Sequence, residues 1–321
     1  IGENRTIAWL GLQGLADARN PGLRALLKRL GLAGRPLRAA DVGFKIGPRI
    51  NAAGRLASAN TAIDLFAATT EDAAWQLCAE LDRMNGERQQ IELQVRELAE
   101  TQIAGGERII ILAGDGWHKG VLGLTAGRIA QRYHRPTLVM TTDGDRCVGS
   151  GRSIPTINLH AQLESVANLF THFGGHEFAC GFSLPARNLD ALRSRLRNAF
   201  ASLDEALFRR EARIDARLSL AELDREFVAG HEMLQPFGAA NPQPLFAAHG
   251  VSVIATRTFA EDCAELTLED ASGRASAVLW PNVKELAPML TNRADVLFHI
   301  EPDGWSPTGG KLAIVDARSS S

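Results

Sequence analysis

The sequence contains few cysteines and no long apolar segment. Its four cysteines, Cys78, Cys147, Cys180 and Cys263, lie far apart and form no CxxC pair, so neither a disulfide framework nor a structural zinc site is indicated. We expect them to be buried thiols. No apolar run approaches the roughly 20 residues that a membrane-spanning helix needs. This composition is typical of a soluble globular protein, and we expect a cytoplasmic location.

Several motifs of well-known enzyme classes are also absent. The chain has no HExxH motif, and the nearest candidate for a pair of metal-binding carboxylates, Asp143 with Asp145, is expected in a hairpin turn around a glycine. We therefore predict no metal site in this chain. The lack of a GxSxG elbow and of a Walker GxxxxGK[ST] loop argues against serine-hydrolase and P-loop chemistry.

The distribution of charge divides the chain into a basic and an acidic part. The 321 residues, long enough for two or three domains, have 35 Lys and Arg against 37 Asp and Glu, a net charge of −2. From Glu211 onward there are 9 basic and 16 acidic residues, which leaves 26 and 21 before it. Phosphate binding, if present, is therefore expected before residue 211.

Helical patterns dominate the first hundred residues. The segment PGLRALLKRLGL predicts a short helix, whereas Gly43–Arg55, GFKIGPRINAAGR, is interpreted as a loop, functional or merely connecting. From Thr70 to about Glu100, apolar residues three and four apart predict one long helix of roughly 45 Å, capped by Thr69 or Thr70. Arg88 lies within the apolar stripe, either as a snorkelling surface residue or as a ligand contact facing a cleft.

The middle of the chain predicts a β-α-β unit. Apolar runs at 108–113 and 136–142 flank a helix from about Val121 to Tyr133, which implies a mainly parallel sheet. A third strand ends in GSGRS, and a helix of roughly Arg187–Phe208 follows. His118 and Lys119 precede the crossover helix, where His118 is expected to pack the loop rather than to act chemically.

Five short alternating segments follow residue 250. They are VSVIATRTF, AELTLED, RASAVLW, ADVLFHIEP and KLAIVDAR. Five such strands in about 70 residues fit a small barrel of the oligonucleotide/oligosaccharide-binding (OB) type, and a generic β-sandwich stays open. The expected fold class is thus multidomain α/β with a long connecting helix and a five-stranded OB-like barrel.

Two glycine-rich motifs are candidates for binding an anion. Ser150, Gly151, Arg152 and Ser153 offer open backbone, two hydroxyls and a guanidinium, which together can surround a phosphate. The alternative is a strand that ends in a turn with a surface arginine. In Gly174-Gly175-His176, two glycines present a histidine at an expected helix start, where an oxyanion could bind, although a lone histidine is more often structural.

Taken in order, these motifs resemble the DHH phosphoesterase family, and within it the RecJ-type single-strand-specific exonucleases. GENRTIAWLGLQGL resembles the end of the catalytic DHH domain, GPRINAAGR its cleft motif, and LDRMNGERQQIE the connecting helix. GWHKGVLGLTAGRIAQRYHRP, GSGRSIP and FGGHEFACGF resemble the DHH-associated domain, and LQPFGAANPQPLF the start of the OB fold. The resemblance divides the chain at 1–68, 69–100, 101–210 and 211–321.

The resemblance implies a 5′→3′ exonuclease acting on single-stranded DNA. Ser150 and Arg152 would hold the 5′ phosphate, and His176, with Gly174 and Gly175, would lie near the scissile phosphate as a catalytic residue. Residues lining the same cleft would be Arg49, Asn51, Arg55 and Gln89. The ligands of two Mn²⁺ or Mg²⁺ ions would lie upstream of this chain, so the chain is expected to be an inactive fragment by itself.

Other functions stay open at this point. The GGH motif also resembles phosphodiesterases for short oligonucleotides or cyclic dinucleotides, and the chain alone could be a non-catalytic module that binds single-stranded DNA. Phe259, Trp280 and Trp305 could stack on bases, but the acidic charge of their domain makes partner binding an alternative. The resemblance implies single-stranded-DNA-binding protein and a helicase as partners, and no membrane.

Overall fold

The computed structural model describes residues 2–260, 262–280, 283–290 and 293–320. The chain divides into two compact units, one formed by residues 16–211 and the other by residues 1–15 and 212–321. Helix α1, Glu3–Leu15, belongs to the second unit. The resemblance implies four domains, whereas the structure divides into two units and groups residues 1–15 with residues 212–321. The four-domain division therefore stays a prediction.

The unit of residues 16–211 begins with short helices. They are α2 (Pro21–Arg29), α3 (Ala39–Asp41), α4 (Gly47–Leu56) and α5 (Asn60–Ala67). A π-helical turn, Val42–Ile46, leads directly into α4, so the interpretation of residues 43–55 as a loop is wrong. Pro48 lies in the first turn of α4, where no backbone N–H is needed, and the fully buried Ala52 and Ala53 hold this helix in place.

The predicted long helix is confirmed as α6, Glu71–Glu100. The Thr70 hydroxyl accepts a hydrogen bond from the Ala73 N–H at 3.3 Å and so caps the first turn. Leu81, Met84 and Val95 of the apolar stripe are buried, whereas Leu98 is exposed. The last turns of α6 pack Val95 and Ala99 against the first strand of the following sheet. Arg88 is also buried, so its interpretation as a surface residue is wrong.

A five-stranded sheet with helices on both faces follows α6. Its elements are β1 (Ile110–Asp115), α7 (Lys119–Tyr133), β2 (Thr137–Asp143), β3 (Arg146–Arg152), α8 (Leu159–Glu164), β4 (His172–His176), β5 (Ala179–Pro185) and α9 (Leu189–Ala201). The strand order is β1-β2-β3-β5-β4. Short 3₁₀ turns lie at Ala167–Leu169, Ala186–Asn188 and Glu205–Phe208, the last of which replaces the end of the predicted helix.

The expectation of a mainly parallel sheet is wrong. Only β1 and β2 pair in parallel, and the other three pairings are antiparallel. The reason is the length of the connections: α7 is a crossover, whereas two-residue turns join β2 to β3 and β4 to β5. Helix α7 covers one face of the sheet together with α6, and α8 and α9 cover the other.

The second unit contains the predicted five-stranded barrel. After β6 (Ala216–Arg217) and α10 (Arg225–Glu232) come β7 (Phe246–Ala260), β8 (Cys263–Glu269), β9 (Arg274–Leu279), α11 (Val283–Leu286), β10 (Arg293–Pro302) and β11 (Gly310–Ser319). The order β10-β11-β9-β8-β7 is closed by pairing of β10 with β7, so the barrel is confirmed and the alternative of a generic β-sandwich is excluded. The two-residue β6, which pairs with β7, was not predicted.

All four cysteines are free and buried, as expected. Among the described residues, no helix is both long and apolar enough to cross a membrane.

In the barrel unit, the Arg5 guanidinium of α1 donates to the carbonyl oxygens of Met233, Leu234 and Gln235 at 3.4, 3.1 and 2.9 Å. A cation at these carbonyls, just after α10, stabilises the end of that helix.

Asp295 ties the last strand to the rest of the barrel. Its carboxylate accepts hydrogen bonds from the Arg318 guanidinium at 2.9 Å, the Ser320 hydroxyl at 2.8 Å and the Gly250 N–H at 3.1 Å. His249 Nδ1 lies 3.1 Å away. Burial alone would raise the pKa of Asp295, but the hydrogen bonds from Ser320, His249 and Arg318 outweigh it and hold this pKa well below its ordinary value.

We expect Asp295→Asn to lower the free energy of unfolding at pH 7 by about 1–2 kcal/mol, because several hydrogen bonds to a charged acceptor are lost. Because the pKa of Asp295 is lower in the folded than in the unfolded state, its ionised carboxylate stabilises the fold above the unfolded pKa, and this stabilisation is lost as the pH falls. The difference in unfolding free energy between the original chain and Asp295→Asn should therefore shrink below about pH 4. Chemical denaturation at pH 7 and pH 3.5 measures both effects. The control is Asp316→Asn, an exposed carboxylate on β11, and an equal loss in that variant would contradict the assignment.

Candidate phosphate-binding site

The alternation of residues on β3 places Ser150 and Arg152 on one face of the sheet. The other face has room only for glycine: a Cβ at Gly149 would lie 2.4 Å from the Phe182 ring, and one at Gly151 would lie 2.7 Å from Leu138. Because successive side chains of a strand point to opposite faces, this close packing directs Ser150 and Arg152 toward the face that carries α7. The GSGRS motif therefore presents its hydroxyl and guanidinium together.

The strand register brings the GGH motif beside GSGRS. Arg152 pairs with Ala179, which also pairs with His176, so Arg152 and His176 lie in one cross-strand row. At about 4.8 Å between neighbouring strands, the two backbones are roughly 10 Å apart on the same face. The expected helix start at His176 is wrong, because this exposed residue ends β4 and a two-residue turn leads directly to β5.

The neighbouring row forms an open floor next to Ser150. Ser150 pairs with Gly181, and Gly181 pairs with Gly174. A Cβ at either glycine would meet no atom within 4 Å, so the surface above them is open. We call Gly174 and Gly181 the glycine floor. Gly175 differs, because its φ is +148° and a Cβ there would lie 2.2 Å from the Ala179 carbonyl oxygen.

These geometries predict a large loss of stability for one glycine substitution and a small change for another. We expect Gly175→Ala to lower the free energy of unfolding by about 2 kcal/mol or more, because the added methyl group clashes with backbone and strains φ. Gly181→Ala should change it by less than about 1 kcal/mol, since the new methyl group enters open space. Chemical denaturation of both variants tests this, and equal stabilities would contradict the described hairpin.

Helix α7 closes one side of the site through two glycines. A Cβ at Gly123 would lie 2.9 Å from Arg152 Nη2 and 3.5 Å from Ser150 Oγ, and one at Gly127 would lie 3.8 Å from Arg152 Cγ. Arg152 therefore lies along a helix surface that is free of side chains at these two points. Sequence reasoning missed both residues, although two glycines four apart on a predicted helix are a detectable signal.

Arg55 is the second cation of the site. The end of α4 meets the start of α7 closely, since a Cβ at Gly120 would lie 2.2 Å from the Arg55 carbonyl oxygen. Arg55 Nη1 donates to the Gly120 carbonyl oxygen at 3.2 Å. Burial, and then repulsion by Arg55, lower the pKa of Arg152. Neither arginine forms an ion pair with any residue in the described part of the chain.

Other predicted site residues have different surroundings. Arg49 binds the Asp82 carboxylate and also donates to the Lys45 carbonyl oxygen at 2.9 Å. Burial would raise the pKa of Asp82, but hydrogen bonds from Arg29 and Arg49 hold it below its ordinary value. Arg49 is thus engaged in an ion pair of the helical region. Asn51 on α4 and Gln89 on α6 are exposed, and no described contact joins them to Arg152.

The remaining polar residues of the motifs have local roles. The Ser153 hydroxyl donates to the Ile157 carbonyl oxygen at 2.7 Å, and the Ser153 backbone N–H donates to the Phe178 carbonyl oxygen at 3.0 Å. Both donors of Ser153 are therefore used in local hydrogen bonds. The exposed His118 caps α7, with Nδ1 accepting a hydrogen bond from the Gly120 N–H at 3.1 Å. Lys119 pairs with Asp143 at 3.1 Å.

The site has the chemistry of an anion receptor and not of a metal centre. Its charged groups are the guanidinium groups of Arg55 and Arg152, which repel a divalent cation. Within the ranges that the structure describes, no three His, Cys, Asp or Glu residues are grouped to hold a metal ion. A phosphate, in contrast, would find two guanidinium groups, a hydroxyl and an unobstructed approach over the glycine floor.

Comparison with known proteins identifies the family. A family model described as the DHHA1 domain matches residues 106–202, and one described as the RecJ OB domain matches residues 214–309. The single-stranded-DNA-specific exonuclease RecJ of Escherichia coli (strain K12) is 31% identical over 317 residues, which are 92% of this chain and 55% of that protein. The chain belongs to the RecJ family.

Two further RecJ proteins support this assignment. The single-stranded-DNA-specific exonuclease RecJ of Bacillus subtilis (strain 168) is 35% identical over 251 residues, 75% of this chain and 32% of that protein. The crystal structure of RecJ in complex with Mn²⁺ from Thermus thermophilus superposes with a TM-score of 0.86 at 27% identity, covering 100% of this chain and 47% of that chain. This RecJ-family chain thus spans between 32% and 55% of these curated relatives.

Proposed function

We propose that this chain holds the 5′-phosphorylated end of single-stranded DNA for a 5′→3′ exonuclease. The observation that carries the proposal is the pair formed by Arg55 and Arg152, two half-buried guanidinium groups without a carboxylate partner among the described residues. Ser150 adds a hydroxyl on the same face of the sheet. The names of the RecJ relatives supply the substrate, single-stranded DNA.

The charge of a terminal phosphate suits this arrangement. A phosphate monoester carries between one and a half and two negative charges at pH 7, whereas each internal phosphodiester carries about one. Two arginines without counter-charge therefore favour the end of a strand over its interior. The glycine floor leaves room for the sugar and backbone that follow the phosphate, and His176 lies two strands away along the same face. This geometry supports digestion that starts from the 5′ end.

The cutting reaction itself requires divalent metal ions in the proposed enzyme. Structures of the Thermus thermophilus relative contain Mn²⁺ or Mg²⁺, but the described residues here do not fit such an ion. We therefore propose that this chain binds substrate and that other parts of the enzyme hold the metals. An assay of residues 1–321 with Mn²⁺ and labelled single-stranded DNA should show no cleavage, and Mn²⁺-dependent cleavage would overturn this division of labour.

The barrel unit is proposed to make a weaker contact with the strand. Phe259 and Trp280 form an exposed aromatic pair, with ring centroids 5.8 Å apart, on which bases could stack. The acidic charge of residues 211–321 opposes binding of phosphates, so a protein partner such as single-stranded-DNA-binding protein or a helicase is the other proposed occupant. We also propose that the enzyme acts in the cytoplasm.

Substitution of Arg152 tests the central proposal. We expect Arg152→Ala to weaken binding of a 5′-phosphorylated ten-nucleotide strand about tenfold or more and to leave a 5′-hydroxyl strand within about twofold, because a charge-assisted contact to the terminal phosphate is lost. Fluorescence anisotropy with the intact chain measures both affinities.

The matched control for this test is Arg146→Ala. Arg146 lies on the same strand and the same face, and its side chain donates to the Ser183 hydroxyl at 3.1 Å. The Arg146→Ala variant should therefore keep the preference for 5′-phosphorylated strands. Equal effects of the two substitutions, or equal affinities of the original chain for the two kinds of strand end, would contradict the proposal.

A further inference from the structure

Arg88 is a buried cation whose side chain is only partly satisfied. It lies in the buried stripe of α6 and is 8% exposed. Its Nη2 donates to the Asn85 side-chain oxygen at 3.0 Å, whereas its buried Nε has no hydrogen-bond partner in the described part of the chain. Burying a charge without full compensation is costly, so this arginine needs an explanation beyond packing.

The charges around Arg88 do not neutralise it. The residues that interact electrostatically with it are Arg128, Glu92 and Arg55. Glu92 is 1% exposed, but its carboxylate is already bound by Arg128 at 2.9 Å and approached by Arg96 at 3.7 Å. Burial, followed by repulsion from Arg128, lowers the pKa of Arg88. The neighbourhood therefore keeps an excess of positive charge.

This excess continues into the phosphate-binding site. Helix α4, which ends beside Arg55, packs against both α6 and α7, and repulsion by Arg55 contributes to the lowered pKa of Arg88 and of Arg152. The three guanidinium groups thus form a series from the interior of α6, through the end of α4, to the open face of β3. Arg88 is the buried member of this series, whereas Arg152 lies beside the glycine floor. A negative ligand next to Arg55 and Arg152 would relieve the repulsion along the whole series.

We propose that Arg88 is a positioning residue that acts through Arg55 and makes the site select a doubly charged terminal phosphate over a singly charged phosphodiester. Arg88 does not contact the phosphate. Its fixed charge repels Arg55 toward the site and raises the positive potential there, and a dianion gains twice as much from that potential as a monoanion. This inference rests on the proposed function and adds the origin of its selectivity.

DNA strands with three different 5′ ends distinguish an effect of terminal charge from an effect of terminal shape. Ten-nucleotide strands that end in a 5′ phosphate, a 5′ methyl phosphate or a 5′ hydroxyl carry about two, one and no terminal charges at pH 7.5. Binding of each to the intact chain is measured by fluorescence anisotropy. We expect Arg88→Gln to lower the ratio of phosphate to methyl-phosphate affinities about tenfold, or about 1.4 kcal/mol, and to change the 5′-hydroxyl affinity less than about twofold.

Three further variants isolate the charge of Arg88 from its packing. Arg88→Lys keeps the charge and should keep most of the ratio. Asn85→Asp keeps the volume and the hydrogen bond but adds a negative charge beside Arg88, so it should lower the ratio as Arg88→Gln does. It also decides the question if Arg88→Gln fails to fold. Arg83→Gln, on the exposed side of α6 where Arg83 pairs with Glu80 and Glu87, should have no effect.

The outcomes distinguish this inference from the function on which it rests. If the original chain binds 5′-phosphate and 5′-hydroxyl strands equally, the proposed function itself fails. If the original chain prefers the phosphate but Arg88→Gln or Asn85→Asp keeps the full ratio, the role of Arg88 is overturned. An equal loss in Arg88→Lys and Arg88→Gln would also overturn it, because the charge would then not be the relevant property.

Discussion

Close packing beneath β3 is the constraint on which the candidate site depends. Phe182, Leu138 and Leu159 approach Gly149 and Gly151 so closely that no side chain fits between them. This contact fixes which face of the strand carries Ser150 and Arg152. The antiparallel register with β5 and β4 then places the glycine floor and His176 beside them. The chemistry of the site is thus a consequence of core packing on the opposite face of the sheet.

The uncompensated positive charge of the site favours an anionic ligand. Helix α4 and strand β3 contribute arginines that lack carboxylate partners in the described structure, while carboxylates elsewhere, such as Asp82 and Asp295, are fully engaged by cations and donors. A molecule whose only requirement was stability would gain little from uncompensated guanidinium groups. Their retention is understandable if a phosphate supplies the missing charge, and the open approach above Gly174 and Gly181 provides its path.

Local sequence patterns predicted much of the fold, whereas the features that depend on contacts between distant residues could not be predicted. The apolar stripe and Thr70 predicted α6, and alternation predicted the five barrel strands. The glycines and proline of residues 43–55 suggested a loop, but buried alanines and a tolerated proline position make it helical. The strand position of His176 depends on pairing with β5, which adjacent residues do not reveal. For Arg88, a charge in an apolar stripe fitted two environments, and only tertiary packing decides between them.

In the proposed complex, a terminal phosphate lies between Ser150, Arg152 and Arg55 on the open face of the sheet. A crystal structure of the chain with a short 5′-phosphorylated strand would show whether it does. We expect the terminal phosphate oxygens to lie within hydrogen-bond distance, about 2.7–3.2 Å, of the Ser150 hydroxyl and the Arg152 guanidinium, with the first nucleotide above the glycine floor. A 5′ phosphate bound elsewhere, or a strand held in the opposite polarity, would contradict it.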